Sequence, residues 1–253
     1  MLVRVLAGFF VVLAALCWGP GCAVAETELL VSAASSLTDS FKEIGKAYEA
    51  KNPGVMVRFN FAATGPLLQQ IEQGAPVDVF ASADQQSMDK AEKGKFILPG
   101  SRTDFTGNAL VLITPVNITT VKGLADLQSA QVLKVSMGNP ESVPVGRYTK
   151  AALEKQGAWE AIAPKCVMGS SVKQALEYVM RGEVEAGFVF ATDAVAVKDK
   201  VQVVAEIATA KPIVYPVAVV AASAKQEQAQ TFIRYLQSVE GQAVLTKYGF
   251  KKI

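Results

Sequence analysis

The stretch "AASSLTDSFKEIGKAYEA", residues 33–50, follows directly on the apolar run "LLVSA" that ends at Ala33. Leu29 to Ala33 has the make-up of a short buried strand. Leu37, Phe41, Ile44 and Tyr48 then recur at helical spacing, which puts one apolar stripe on a helix from about 37 to 50. Ser35 and Ser36 stand at the corner between the two. Asp39 lies three residues beyond Ser36, the spacing of a capping box. A strand that turns straight into an amphipathic helix is the opening of a β-α unit.

The unit recurs along the chain. "NPG" at 52–54 breaks the first helix, and Val55 to Phe61 reads as the next strand. Pro66 to Gln73 is helical, with Leu67, Leu68 and Ile71 inward. Val77 to Ala81 is a third strand, and Ala83 to Lys93 a helix that Gly94 stops. "ALVLIT" at 109–114 is a continuous apolar strand, followed by a strand at 132–136. Then come the helix "RYTKAALEK", a strand near Cys166, a helix over 172–181, and strands at 185–190 and 201–207. "VYPVAVVA" at 214–221 is again long and apolar, and helices near 225–237 and 240–247 close the chain.

This alternation predicts an α/β protein of two lobes, each a mostly parallel sheet flanked by helices, joined by two crossover strands. The expected division is residues 26–108 plus 216–253 for the first lobe and 109–215 for the second.

Residues 1–25 read as an export signal: Arg4, an apolar run from Val5 to Leu16, and the small-x-small site Ala23-Val24-Ala25 before Glu26. Cys17 and Cys22 raise lipid anchoring, above all at Cys22. Leu16 before one and Pro20-Gly21 before the other are poor attachment contexts, so soluble export to the periplasm is expected. Removing 25 residues from 253 leaves 228, with 24 basic and 23 acidic side chains. A charge that close to neutral argues against a nucleic-acid binder. Cys166 alone forms no internal disulfide and is expected to behave as a small apolar residue.

The chain contains no histidine. That removes Ser-His-Asp and Cys-His mechanisms, imidazole acid–base work and His-ligated zinc. GxSxG, GxxxxGK[ST] and GxGxxG are also missing. Binding, not catalysis, is the expected task.

Four strand-to-helix corners stand out: Ser35-Ser36, Thr64-Gly65-Pro66, "GNPESVPVG" at 138–146, and "GSSV" at 169–172. Each offers a hydroxyl or a free amide, as at Val145 after Pro144. Capping alone accounts for any single corner. All four lie at the carboxyl ends of strands, where open α/β sheets bind ligands. Helix N-termini there present unpaired N–H groups, so their convergence makes an anion site without lysine or arginine.

"AASSLTDSF", "FNFAATGPLLQQIEQGAPVDVFASADQQSMDKA", "GNPESVPVGRYTKAALEKQGAW", "VEAGFVFATDA" and "YPVAVVA" resemble the periplasmic molybdate-binding proteins of bacterial ABC importers across the whole mature chain. The resemblance implies a type II periplasmic-binding-protein fold that holds molybdate or tungstate between its lobes, with no cofactor and no bare metal cation. It implies a permease in the inner membrane as partner, no nucleic acid, and action as a monomer. Carried over by motif, the contacts are the hydroxyls of Ser36 and Thr64 and the backbone N–H groups of Val145 and Val172. Phe190 falls where the family has a tyrosine hydroxyl, so that donor is missing and packing is its expected role. Two alternatives stand beside this reading. One is another tetrahedral oxyanion such as sulfate; the other is an exported hydrolase using carboxylates among Asp78, Asp84 and Asp193.

Overall fold

The computed structural model describes residues 27–253, so the expected export signal lies outside the described residues. The elements run β1 (Thr27–Ala34), α1 (Thr38–Lys51), β2 (Val55–Ala62), α2 (Thr64–Glu72), β3 (Val79–Ala81), α3 (Gln85–Lys93), β4 (Thr103–Asn108) and β5 (Leu110–Pro115). They continue with β6 (Val135–Gly138), α4 (Pro144–Lys155), α5 (Trp159–Ile162), β7 (Cys166–Gly169), α6 (Val172–Met180), β8 (Ala186–Phe190) and α7 (Ala191–Val195). Last come β9 (Val201–Ile207), β10 (Ile213–Val219), α8 (Gln226–Gln237) and α9 (Val239–Lys247).

Two five-stranded sheets result, in the orders β2-β1-β3-β10-β4 and β7-β6-β8-β5-β9. The two orders repeat one plan. Three strands in each are mutually parallel, and a fourth, β10 or β5, lies antiparallel to both of its neighbours. The fifth strand, β4 or β9, runs the same way as those three, so each sheet is mixed, with four of its five strands pointing one way and one against them. The two long apolar runs are the reason, because each crosses from one lobe and enters the other sheet in reverse. The chain leaves the first lobe between Asn108 and Leu110 and returns between Ile207 and Ile213. β10 pairs with β4 from Ile213 onward.

Both cores form as hydrophobic patterning demands. In the first lobe Leu37, Phe41, Ile44 and Tyr48 are buried along α1. Phe41 meets Phe105 at 5.9 Å between ring centroids, and Tyr48 meets Phe232 edge-on at 5.2 Å. In the second, β5 is buried along its entire length because helices cover both faces. Tyr215, fully buried, spans the two: its ring packs edgewise on Phe105 and Phe250 on one side and on Phe190 on the other. No helix among the described residues is long and apolar enough to cross a membrane.

Candidate ligand-binding site

The three parallel strands of each sheet end facing one another. Beyond β1 the chain makes a tight 3-10 turn, Ser35–Leu37, before α1 begins. Ser36 is buried there and caps nothing: its Oγ lies 2.9 Å from the Tyr215 hydroxyl. The Ser36–Asp39 capping box therefore does not form, because a partner 179 residues away takes the hydroxyl. Thr64 opens α2 and is fully buried, and its Oγ1 accepts the Ala83 N–H at 3.2 Å. Pro144 occupies the first turn of α4, and Val145 follows it. Only the fourth corner is capped as expected, by Ser171 accepting the Gln174 N–H at 3.2 Å, with Val172 opening α6. Val145 and Val172 stand in first turns, so their N–H groups have no acceptor within their own helices.

Ser36, Thr64, Val145, Val172 and Phe190 line one cavity, together with Ser35 and small apolar residues such as Ala34, Ala63 and Ala83. No charged side chain lines it. The walls stand close. The space open to the centre of a water-sized sphere is about 10 Å³, near the threshold for one water molecule. Phe190, at the end of β8, offers no hydrogen-bond donor and packs edgewise with Tyr148 at 6.3 Å and with Tyr215 at 5.8 Å.

Contacts between lobes surround this cavity. The Gly65 N–H donates to the Ser142 carbonyl at 3.0 Å. A Cβ on Gly65 would sit 2.5 Å from that carbonyl oxygen, so only glycine lets the lobes approach here. Arg147 of α4 reaches Asp84 at 2.6 Å and the Ser87 hydroxyl at 3.0 Å, both at the start of α3. Lys173 of α6 pairs with Asp39 of α1 at 3.2 Å and with Asp193 of α7 at 3.4 Å. Burial pulls the Lys173 ammonium down, but the two carboxylates outweigh it and hold it above its usual range.

The arrangement is an uncharged pocket between two lobes, lined by hydroxyl residues and the first turns of α4 and α6, and residues 29–251 match the family of bacterial extracellular solute-binding proteins. The chain belongs to that family. The protein described as "Putative ABC transporter substrate-binding lipoprotein YvgL" of Bacillus subtilis is 39% identical over 228 residues, 88% of this chain and 85% of the relative. The molybdate-binding protein ModA of Escherichia coli is 37% identical over 232 residues, 89% of each chain. The periplasmic molybdate-binding protein of Azotobacter vinelandii shares the fold, with a TM-score of 0.76 at 24% identity over 88% of this chain and 98% of that one.

In this solute-binding protein the three aspartates considered for hydrolysis are each engaged elsewhere. Asp78 accepts from the Leu30 N–H at 2.8 Å and the Ser223 hydroxyl at 2.6 Å, which ties β1 to the turn after β10. Asp84 accepts the Ser87 N–H at 3.0 Å as the N-cap of α3 and pairs with Arg147. Asp193 is fully buried, and neither carboxylate oxygen accepts a hydrogen bond. Burial pushes its carboxyl up to about 6, while Lys173 pulls the other way. None of the three lines the cavity. A wider groove of about 620 Å³ opens beside α6, but its cations are already committed, Lys173 to Asp39 and Asp193 and Lys247 to Glu43.

Sequence reasoning missed Tyr215, Asn108 and Thr192. Asn108 Nδ2 donates to Tyr215 at 3.1 Å and to Thr192 at 2.9 Å, which forms a polar cluster directly behind Ser36. Tyr215 read as one more residue of an apolar strand, and no local pattern announces a hydroxyl whose partners lie over a hundred residues away.

Proposed function

We propose that this protein is the substrate-binding component of an ABC importer, exported to the periplasm, where it captures molybdate or tungstate and hands it to the inner-membrane permease. The observation that carries this reading is the neutral cavity at the carboxyl ends of all six parallel strands. Its polar groups there are the Ser36 and Thr64 hydroxyls and the first-turn amides of Val145 and Val172. Donors without a cation suit a dianion that must later be released. Each charge-assisted bond is worth about 1.5–3 kcal/mol, against the cost of dehydrating the ion. A site built of donors favours a fully deprotonated oxyanion over one that carries a proton. Size then separates the larger molybdate and tungstate from sulfate, and the donor set treats those two alike.

Phe190 leaves one fewer hydroxyl than the resembling family has, and the remaining donors hold the ion. The protein acts as a monomer, uses no cofactor, and does no chemistry on its cargo. Lobe closure around the ion makes the shape that the permease reads.

The test is a thermal shift of the purified mature protein with sodium molybdate, tungstate, sulfate or phosphate. At a hundredfold excess over its dissociation constant, a bound ion adds about 2.7 kcal/mol of stability. Molybdate and tungstate are expected to raise the melting temperature at concentrations where sulfate and phosphate do not. A shift with sulfate alone would replace the cargo, and no shift with any of the four would remove the reading.

A further inference from the structure

Four residues behind the cavity form a chain whose hydrogen-bond direction can be worked out from one fixed end. The Ala109 backbone N–H donates to Asn108 Oδ1 at 2.9 Å. A backbone amide only donates, so the oxygen of Asn108 must face Ala109 and its nitrogen must face the other way. That nitrogen has two hydrogens and two partners, Thr192 Oγ1 at 2.9 Å and the Tyr215 oxygen at 3.1 Å. Tyr215 thus accepts from Asn108, and its single hydroxyl proton is left for Ser36 Oγ at 2.9 Å. Ser36 accepts that proton. Its own hydroxyl hydrogen is then free to point into the cavity it lines.

We infer that Tyr215 and Asn108 are positioning residues that fix Ser36 as a donor toward the bound oxyanion, so that the pocket discriminates against protonated anions. The inference rests on the oxyanion reading above. Tyr215 and Asn108 do not line the cavity and touch the ion only through Ser36. Burial strengthens the arrangement, since all four side chains are at least nine-tenths buried, where a hydrogen bond is stronger than in water. Thr64 shows the same logic in a simpler form: the Ala83 N–H occupies its oxygen from behind and leaves its hydrogen to the cavity. Thr192 and Ser36 stand in different lobes, while Asn108 and Tyr215 lie on the strands flanking the crossings. The bonds that set Ser36 thus lie within the first lobe and its edge, and Thr192 adds an anchor from the second through the other Asn108 hydrogen.

The test is a double-mutant cycle by titration calorimetry with sodium molybdate, on the wild type, Ser36→Ala, Tyr215→Phe and the pair together. Tyr215→Phe keeps the ring that packs on Phe105, Phe190 and Phe250 and removes only the oxygen. It is expected to weaken molybdate binding roughly five- to tenfold. The pair should bind no more weakly than Ser36→Ala alone, because Tyr215 acts through Ser36. Inorganic phosphate, which carries a proton at neutral pH, should compete better against molybdate in Tyr215→Phe than in the wild type. Asn108→Asp keeps the shape but donates nothing to Tyr215, which then turns its proton toward residue 108 and draws the Ser36 proton away from the cavity. This variant should lose at least as much affinity as Tyr215→Phe, and it decides the matter if Tyr215→Phe does not fold. Wild-type affinity in Tyr215→Phe or Asn108→Asp, or losses from Ser36→Ala and Tyr215→Phe that multiply, would overturn the inference while leaving the molybdate reading intact. No heat with the wild type would overturn both.

Discussion

Phe190 tests the site one atom at a time. Its ring closes the end of β8 against Tyr148 and Tyr215 and is 1% exposed. A hydroxyl added there is buried at once, and without a partner such a group costs about 1–3 kcal/mol. An oxyanion bound in the cavity, as proposed above, would supply that partner. Phe190→Tyr is therefore expected to lower the melting temperature of the free protein, yet to keep or tighten molybdate binding by up to roughly tenfold. Calorimetry that finds a large loss would place the ring's far edge away from the ion. Residues that speak through their neighbours in sequence were legible: Ser36, Thr64, Val145 and Val172 each sit at a corner visible in the local pattern. What the corners did not reveal is how their hydroxyls are used. Ser36 looked like half of a capping box with Asp39, but it turns instead to Tyr215, and Asp39 turns to Lys173. Long-range partners decide such choices, and spacing along the chain does not contain them.

At the scale of elements, α7 carries the least comfortable group in the molecule. Asp193 lies in its first turn, fully buried, with Lys173 at 3.4 Å and no hydrogen bond to either oxygen. Burial raises its carboxyl from an ordinary 3.8 to about 6. A folded-state value above the unfolded one means that the folded chain holds the proton more tightly. That contribution to stability is fully present below about pH 4 and is lost as pH rises through 6. At pH 7 the ionised carboxylate costs on the order of 3 kcal/mol relative to acid. Asp193→Asn keeps the shape and removes the charge, while Lys173 keeps Asp39. The variant's melting temperature should match the wild type near pH 4 and exceed it by pH 7, and a difference that stays flat across that range would show that the carboxylate is better served than its surroundings imply. The short helix itself was not read from the sequence. Five residues give no full period of apolar spacing, and "ATDAV" resembles the loop after any strand. β4 escaped for a related reason, because "TDFTGN" mixes polar residues into a strand that only its place beside β10 explains. The long periodic segments, α1 and α8 among them, were legible because their apolar stripes extend over three turns.

Across the whole molecule, the two lobes are copies of one plan, and an ion pair bridges them beside the cavity. Arg147 meets Asp84 with both side chains largely buried, at 16% and 5% exposure. Were the lobes to separate, Asp84 would keep its cap on α3 through the Ser87 N–H, whereas Arg147 would return to water. The pair therefore favours the closed state and adds nothing to the open one. An ion that contacts both lobes binds the closed state, so its apparent affinity falls by the same factor as the closed population. Arg147→Met removes the charge but keeps a long apolar stem, and leaves Asp84 facing a shut cleft without its cation. It should weaken molybdate binding roughly ten- to a hundredfold, the scale of a charge-assisted hydrogen bond. Small-angle scattering adds the geometric half of the test. The wild type is expected to compact at low molybdate concentration, and Arg147→Met only at proportionally higher concentration, reaching the same final dimensions. If the variant compacts at the wild-type concentration, the ion alone shuts the lobes and the Arg147–Asp84 pair merely accompanies the closure.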